Sequence, residues 1–400
     1  MSAASTVSPV RPAGAASTSS ATNTTGAPTP ATHRALVRRA PDRHGRTLVD
    51  VAEVPTPALR PGDALLAPAV AGICGTDWQI LRGLRDDPTP VLGHEGVAYV
   101  VEPGDTGLAP GTPVTVNPTH PDDPSFLLGH NLPGLWAELA RIPASAVRAG
   151  LVVPVPDSAV RPRVASLAEP LASVLYGLRT TLHLVRPASL VVWGDGIVGR
   201  LATELWPREL PGLRVLLAGH GDGAVHPDDP ALPALLAALP GPVAAVIATP
   251  RTGTPDALRA LDRLVPGTLV VDVHAGLPAG PVEMTAGPVD VTAVRAEHCG
   301  GAPWPPRATS LARPAGPLLL HGHRGVSGDH LREAVAHLTA PREALGRDVL
   351  THEVGLDGAA ELVNTVLTTR RRAADGRRVL KAAIRVAPPR DRQYGVGGGR

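Results

Sequence analysis

Residues 189–202 read SLVVWGDGIVGRLA. A short apolar run ends in glycine and the apolar spacing then becomes helical, which predicts a strand, a tight turn and a helix. Gly194, Gly196 and Gly199 form a G-x-G-x-x-G at that junction. In a dinucleotide-binding loop the three glycines serve different ends. Gly194 turns tightly, Gly196 lets the backbone approach a pyrophosphate, and Gly199 packs helix on strand. Ile197 and Val198 open the helix, whose N-terminus faces the anion. Asp195 places a carboxylate beside the expected phosphate.

The flanking sequence repeats the alternation. Strand-like runs at 213–219 (LRVLLAG), 243–249 (VAAVIAT) and 268–276 (TLVVDVHAG) are interleaved with helical spacing at 164–182 and 254–265. Near-continuous apolar strands between helices predict a doubly wound parallel sheet, an α/β fold. The fingerprint also expects an acidic residue about 20 residues on, to hold a ribose hydroxyl. Gly219 and His220 occupy that place, with Asp222 close behind and Arg214 or His220 able to assist a 2′-phosphate, so NAD and NADP both stay open.

Upstream, from His33 to about Val155, short apolar runs are cut by Pro and Gly, as in a compact β-rich domain with many turns. Residues 1–32 are nearly all Ser, Thr, Ala, Pro and Gly, a composition expected to be disordered. SGDHLREAVAHL (327–338) predicts a late helix and VLKAAIRVA (379–387) a last strand.

Composition narrows the function. With 38 basic against 36 acidic residues and net charge +2, no concentrated positive stripe exists for nucleic acid. No apolar run approaches the roughly 18 residues of a membrane span. Two cysteines, Cys74 and Cys299, exclude a disulfide framework, and the first residues do not read as a secretion signal, so a reducing cytoplasm is expected. Aromatics are 2% and Lys381 is the only lysine, a bias that we attribute to genome base composition.

Three segments carry metal chemistry. Cys74 lies in AGICGTDWQILRG, His94 and Glu95 are adjacent in VLGHEGVAYVVEPG, and Glu169 lies in SLAEPLAS. A thiolate, an imidazole and carboxylates are a donor set for tetrahedral Zn²⁺ with one position left for water or substrate. With GICGTD, GHEGVAYVVEPG, PGTPVTVNP, GLWAELARIP, AEPLASVLYGL, WGDGIVG and GHRGVSGDHLREAV in this order, the chain resembles the zinc-dependent medium-chain dehydrogenase/reductase family, its alcohol and polyol dehydrogenases in particular.

That resemblance spans roughly His33 to Val386. It implies a GroES-like catalytic domain over 33–160, a Rossmann NAD(P)-binding domain over 161–318, and a return to the catalytic domain over 319–400. It implies Cys74 and His94 as zinc ligands, with Glu95 and Glu169 as ligands or exchanging neighbours. Thr76 would take the alcohol proton and Asp77 would orient the ligand histidine. The implied reaction is hydride transfer between a secondary alcohol and NAD or NADP, in a homodimer or homotetramer.

The chain departs from the family in three ways, one of them Trp193 before the glycine loop, where a smaller residue would be expected and core packing accounts for it. The lobe THPDDPSFLLGHNLPGL (119–135) lacks the four cysteines of a structural zinc. One catalytic zinc and no structural zinc are therefore expected, with the lobe held by packing around Phe126, Leu127 and Trp136, and His120 and His130 as exposed loop residues. Gln79 stands where many relatives have a relay histidine. Few aromatics, with Trp78, Gln79, Arg82 and Asp86 near the metal motif, point to a hydroxyl-rich substrate: a sugar, polyol, cyclitol or aminocyclitol of bacterial secondary metabolism. A zinc-free NADPH-dependent reductase and a non-catalytic dinucleotide-binding protein are the alternative readings.

Overall fold

The computed structural model describes residues 29–340 and 345–386. Of the tail expected over 1–32, residues 1–28 lie outside the described residues, and Thr32 opens the first strand, Thr32–Arg38.

Two sheets organise the chain. In the first, strands run in the order Leu350–Gly355, Lys381–Arg385, Ala64–Ile73, Gly96–Glu102, Pro113–Val116 and Val152–Pro154, with Ala140–Ile142 also pairing with Ala64–Ile73. Its strands come from both ends of the sequence. Lys381–Arg385 pairs antiparallel with Ala64–Ile73, setting Ala382 opposite Ile73, so Lys381 lies beside the strand that leads into Cys74.

The second sheet has the order Thr309–Leu311, Leu318–His321, Leu269–Val273, Val243–Ile247, Ser189–Trp193, Arg214–Ala218. All neighbours are parallel except the first pair. After Ser189–Trp193 the chain builds Arg214–Ala218 on one side and then Val243–Ile247 on the other. That reversal opens a crevice at the carboxyl ends of the strands, where such sheets bind ligands. The strands foreseen at 213–219, 243–249 and 268–276 all form here.

The glycine loop sits at this switch point. Gly194 has φ +119°, a region open to glycine. A Cβ on Gly199 would fall 1.8 Å from the Gly194 carbonyl oxygen, whereas one on Gly196 would meet nothing within 4 Å. Close packing at Gly199 and open space at Gly196 are what a phosphate-facing loop needs. The helix Ile197–Glu209 then buries Leu201, Ala202, Leu205 and Trp206. Gly199→Ala is expected to destabilise the fold by roughly 1–3 kcal/mol through overpacking and to weaken dinucleotide binding. Melting temperature and nucleotide Kd, measured on the same preparation, check it; an unchanged value of both would refute it.

Between the sheets runs Pro162–Leu184, a 23-residue helix with proline at its first turn. It packs on Ala64–Ile73, Gly96–Glu102 and Lys381–Arg385 of one sheet and on Leu269–Val273 of the other. Helices Gly328–Thr339 and Leu356–Thr369 complete the late part of the chain. The first was foreseen. The second was not singled out, although Leu356, Ala359, Leu362, Val363, Val366 and Leu367 make a clear apolar face.

Candidate active site

Cys74 follows directly on the strand Ala64–Ile73 and precedes the short helix Gly75–Leu81. Asp77, three residues on, turns back into that junction: its Oδ2 accepts from the Cys74 backbone N–H at 2.7 Å. Its other oxygen lies 3.6 Å from His94 Nδ1. One buried carboxylate thus fixes the Cys74 backbone and faces the His94 ring, an arrangement that orients a ligand imidazole.

Cys74, His94 and Glu95 each bring a ligand atom within 4.8 Å of one another. Burial acts to lower the His94 pKa, but the Cys74 sulfur and Asp77 outweigh it and raise the imidazole well above its ordinary value. Cys74 and Asp77 thus favour positive charge at the His94 position. Glu95 Oε2 is buried without a hydrogen-bond partner, and sulfur, imidazole and carboxylate at this spacing suit Zn²⁺.

Glu95 Oε1 accepts from Lys381 Nζ, and both side chains are almost wholly buried. Burial would discharge an isolated lysine; Glu95 instead raises the Lys381 pKa and keeps it charged. A Cβ on Gly72 would fall 2.3 Å from Glu95 Oε1, so the glycine before Ile73 makes room for this pair. Sequence reasoning missed Lys381 as a site residue. The signal was its being the only lysine in a chain that otherwise uses arginine.

Glu169, on the Pro162–Leu184 helix, is partly buried and close enough to raise the pKa of Lys381, but it is not one of the three residues clustered within 4.8 Å. Thr76 and Gln79 are partly exposed on the Gly75–Leu81 helix. Trp78, expected near the metal motif, is 2% exposed and belongs to the hydrophobic core. Arg82 is partly buried and Asp86 exposed.

His120 and His130, expected to be exposed, are instead buried. His120 Nδ1 accepts from the backbone N–H groups of Asp122 and Asp123 at 3.1 and 3.0 Å and shapes the loop. The His130 ring lies 5.1 Å from that of His94, and its Nδ1 is 3.4 Å from Asp87 Oδ1, which also binds Arg85. Phe126 and Trp136 are buried as expected, and Trp136 Nε1 donates to the Gly72 carbonyl at 3.0 Å.

At the glycine loop, Asp195 turns away from the expected phosphate position. Its Oδ2 accepts from Arg378 Nη1 at 2.9 Å. A Cβ on Gly221 would lie 2.0 Å from that oxygen, and one on Gly219 2.8 Å from Asp195 Cβ. The carboxylate therefore lies at the end of the Arg214–Ala218 strand, where the missing ribose-binding acid was sought. His220 is exposed and pairs with His226 at 2.8 Å, and Asp222 is exposed. Arg214 opens that strand at the end away from Gly219 and cannot assist there.

The model of the alcohol dehydrogenase GroES-like domain matches residues 60–157. The chain is 34% identical to glucose 1-dehydrogenase 2 of Vulcanisaeta moutnovskia over 174 residues, covering 38% of this chain and 49% of that protein. It is 29% identical to glucose 1-dehydrogenase of Thermoproteus tenax over 265 residues, covering 58% and 73%. The first match thus spans about half of the relative's length. Among solved structures, Haloferax mediterranei glucose dehydrogenase in complex with NADP, Zn and gluconolactone superposes with TM-score 0.63 at 20% identity, covering 89% of this chain and all of that one.

Proposed function

We propose that this chain, which belongs to the medium-chain dehydrogenase/reductase family of zinc-dependent alcohol and polyol dehydrogenases, interconverts a secondary alcohol and a ketone on a hydroxyl-rich small molecule. The observation that carries this reading is the Cys74, His94 and Glu95 cluster, its ligand atoms within 4.8 Å, in a chain that also has a dinucleotide loop. The glucose 1-dehydrogenase names of two relatives support a sugar or polyol over a simple aliphatic alcohol.

Cys74, His94 and Glu95 would hold the ion, with Glu169 as the neighbouring carboxylate. When bound, zinc supplies a Lewis acid for the substrate oxygen and the dinucleotide a hydride acceptor. Asp77 keeps His94 oriented, and the Thr76 hydroxyl takes the alcohol proton and passes it toward solvent. Lys381 balances Glu95. Gly194, Gly196 and Gly199 shape the pyrophosphate seat, and the Ile197–Glu209 helix presents its N-terminus to it. The lobe over 119–135, which lacks the four cysteines of a structural zinc, is cross-tied by bridges between Thr119 and Leu127 and between Leu128 and Leu132. Pairing of subunits would run along the free edge of the second sheet, at Thr309–Leu311.

The test is oxidation of a panel of sugars, polyols, cyclitols and aminocyclitols by zinc-loaded protein, with NAD and NADP side by side. Formation of reduced dinucleotide that is lost in His94→Ala supports the reading; no turnover across the panel, or full activity in His94→Ala, ends it. Coenzyme choice has its own test. Asp195→Asn removes a carboxylate from the ribose end and frees Arg378. Its KM for NADP is expected to fall about tenfold relative to that for NAD, the effect of roughly 1.4 kcal/mol. An unchanged ratio would show that Asp195 does not face the ribose.

A further inference from the structure

A second constellation, sharing no residue with the Cys74 cluster, lies in the six-stranded sheet. The strand Leu269–Val273 runs out through Asp272-Val-His274, and its neighbour Leu318–His321 through His321-Gly-His323. Side chains two positions apart share a face of a strand. The parallel register sets Asp272 opposite His321. D-x-H and H-x-H on adjacent strands therefore converge on one side of the sheet.

That side is the one covered by Pro162–Leu184. A Cβ on Gly177 of this helix would fall 2.0 Å from Asp272 Oδ2. Thr181 Oγ1 is 3.0 Å from His321 Nε2, and Ser173 Oγ is 3.4 Å from His323 Nε2. The helix thus engages one nitrogen of each of these two rings, as a hydroxyl does when it orients an imidazole whose other nitrogen binds metal.

The other nitrogens have no partner. Nδ1 of His274, His321 and His323 and Oδ1 of Asp272 are all buried without a hydrogen bond. Native structures rarely leave so many buried polar atoms unmatched in one place without water or an ion between them. Asp272, His274 and His323 bring one ligand atom each within 4.8 Å of one another. His321 Nδ1 is 3.8 Å from Asp272 Oδ1.

Arg295 joins the two turns and makes no hydrogen bond to Asp272 among the described residues. Arg295 Nε donates to the Val273 carbonyl at 3.0 Å, and its Nη2 to the carbonyls of His274 and His323, each at 3.2 Å. It ties together the two turns that carry the histidines, and the groups facing the Asp272 carboxylate are the His274 and His321 imidazoles, each Nδ1 3.8 Å from one of its oxygens.

We propose that Asp272, His274 and His323, with His321 as a fourth donor, form a second site for a divalent transition-metal ion. Imidazoles with one carboxylate select Zn²⁺, Co²⁺ or Ni²⁺; Mg²⁺ and Ca²⁺ ask for an oxygen-rich shell that these residues do not offer. His274, the most exposed of the four at 13% of its side chain, gives the ion its way in. An ion here would pin the ends of two strands to each other beneath the long helix.

Chelator-stripped full-length protein, titrated with Co²⁺, tests this by absorption and by metal content after gel filtration. Wild type is expected to bind two ions per chain, one with a thiolate-to-cobalt charge-transfer band and one without. Cys74→Ser/His94→Ala should lose the band and keep one ion; His274→Ala/His323→Ala should keep the band and lose one ion. One ion in wild type that carries the band, or no loss in His274→Ala/His323→Ala, overturns the proposal; one ion without the band supports it and removes the Cys74 site instead. Should that variant fold poorly, Asp272→Asn in the Cys74→Ser/His94→Ala background is read instead. Weakening of the remaining ion by tenfold or more supports the site, and unchanged affinity overturns it.

Discussion

Cys74→Ser is expected to lower kcat on hydroxylated substrates by about a thousandfold or more while leaving the melting temperature nearly unchanged. The loss follows from the donor set: without the sulfur, His94 and Glu95 remain, and Glu95 is already engaged by Lys381. A Lewis acid contributes several kcal/mol to stabilising charge on the reacting oxygen, and each 1.36 kcal/mol is a factor of ten in rate. Stability should hold because Cys74 is only partly buried, makes no disulfide, and is replaced by a side chain of similar shape. The backbone bond from Cys74 to Asp77 survives the change, since it uses the main-chain N–H. Steady-state kinetics and a thermal melt on one preparation check both halves. Turnover above a tenth of wild type would remove Cys74 from the reaction and with it the zinc reading.

What the sequence disclosed follows the range of the interactions involved. The glycine loop was readable because strand, turn and helix are contiguous and Gly194 and Gly199 each answer a local steric demand. Cys74 and His94 were readable because each sits in a short motif with its own glycines. Contacts between distant segments were not. Lys381 meets Glu95 across 286 residues, and Arg378 meets Asp195 across 183. Nothing in a local window says that the last strand returns beside the third. Trp78 shows a different limit: adjacency to Cys74 in sequence did not tell that it shares the buried face of a seven-residue helix with Asp77, Ile80 and Leu81 and packs in the core. Asp272, His274, His321 and His323 were not singled out in the sequence, and they became a constellation only once the two strands were found to be neighbours.

Lys381→Met is expected to destabilise the metal-free protein by about 3–5 kcal/mol, the usual effect of removing one partner of a buried ion pair. Lys381 is 1% exposed and the Glu95 side chain fully buried, so no water replaces the lost ammonium. The same change should make the protein more dependent on zinc. With Lys381 gone, the Glu95 carboxylate loses its hydrogen-bonded counter-charge and keeps only the His94 ring or the ion held with Cys74 and His94, so zinc-loaded Lys381→Met should recover most of its melting temperature. A ligand that binds only the folded state stabilises it in proportion to its affinity, and here that affinity gains a freed carboxylate. Glu95→Gln/Lys381→Met separates charge from packing: with both charges removed, the metal-free protein should regain much of the lost stability without help from zinc. Lys381→Arg probes shape, because a guanidinium is planar and larger than the ammonium it replaces, and should fall between wild type and Lys381→Met. Equal melting temperatures for wild type and Lys381→Met, both stripped of metal, would mean that the pair is not buried in solution. A zinc response in Lys381→Met no larger than in wild type would instead place Glu95 outside the metal's reach, leaving Glu169 as the carboxylate that serves it.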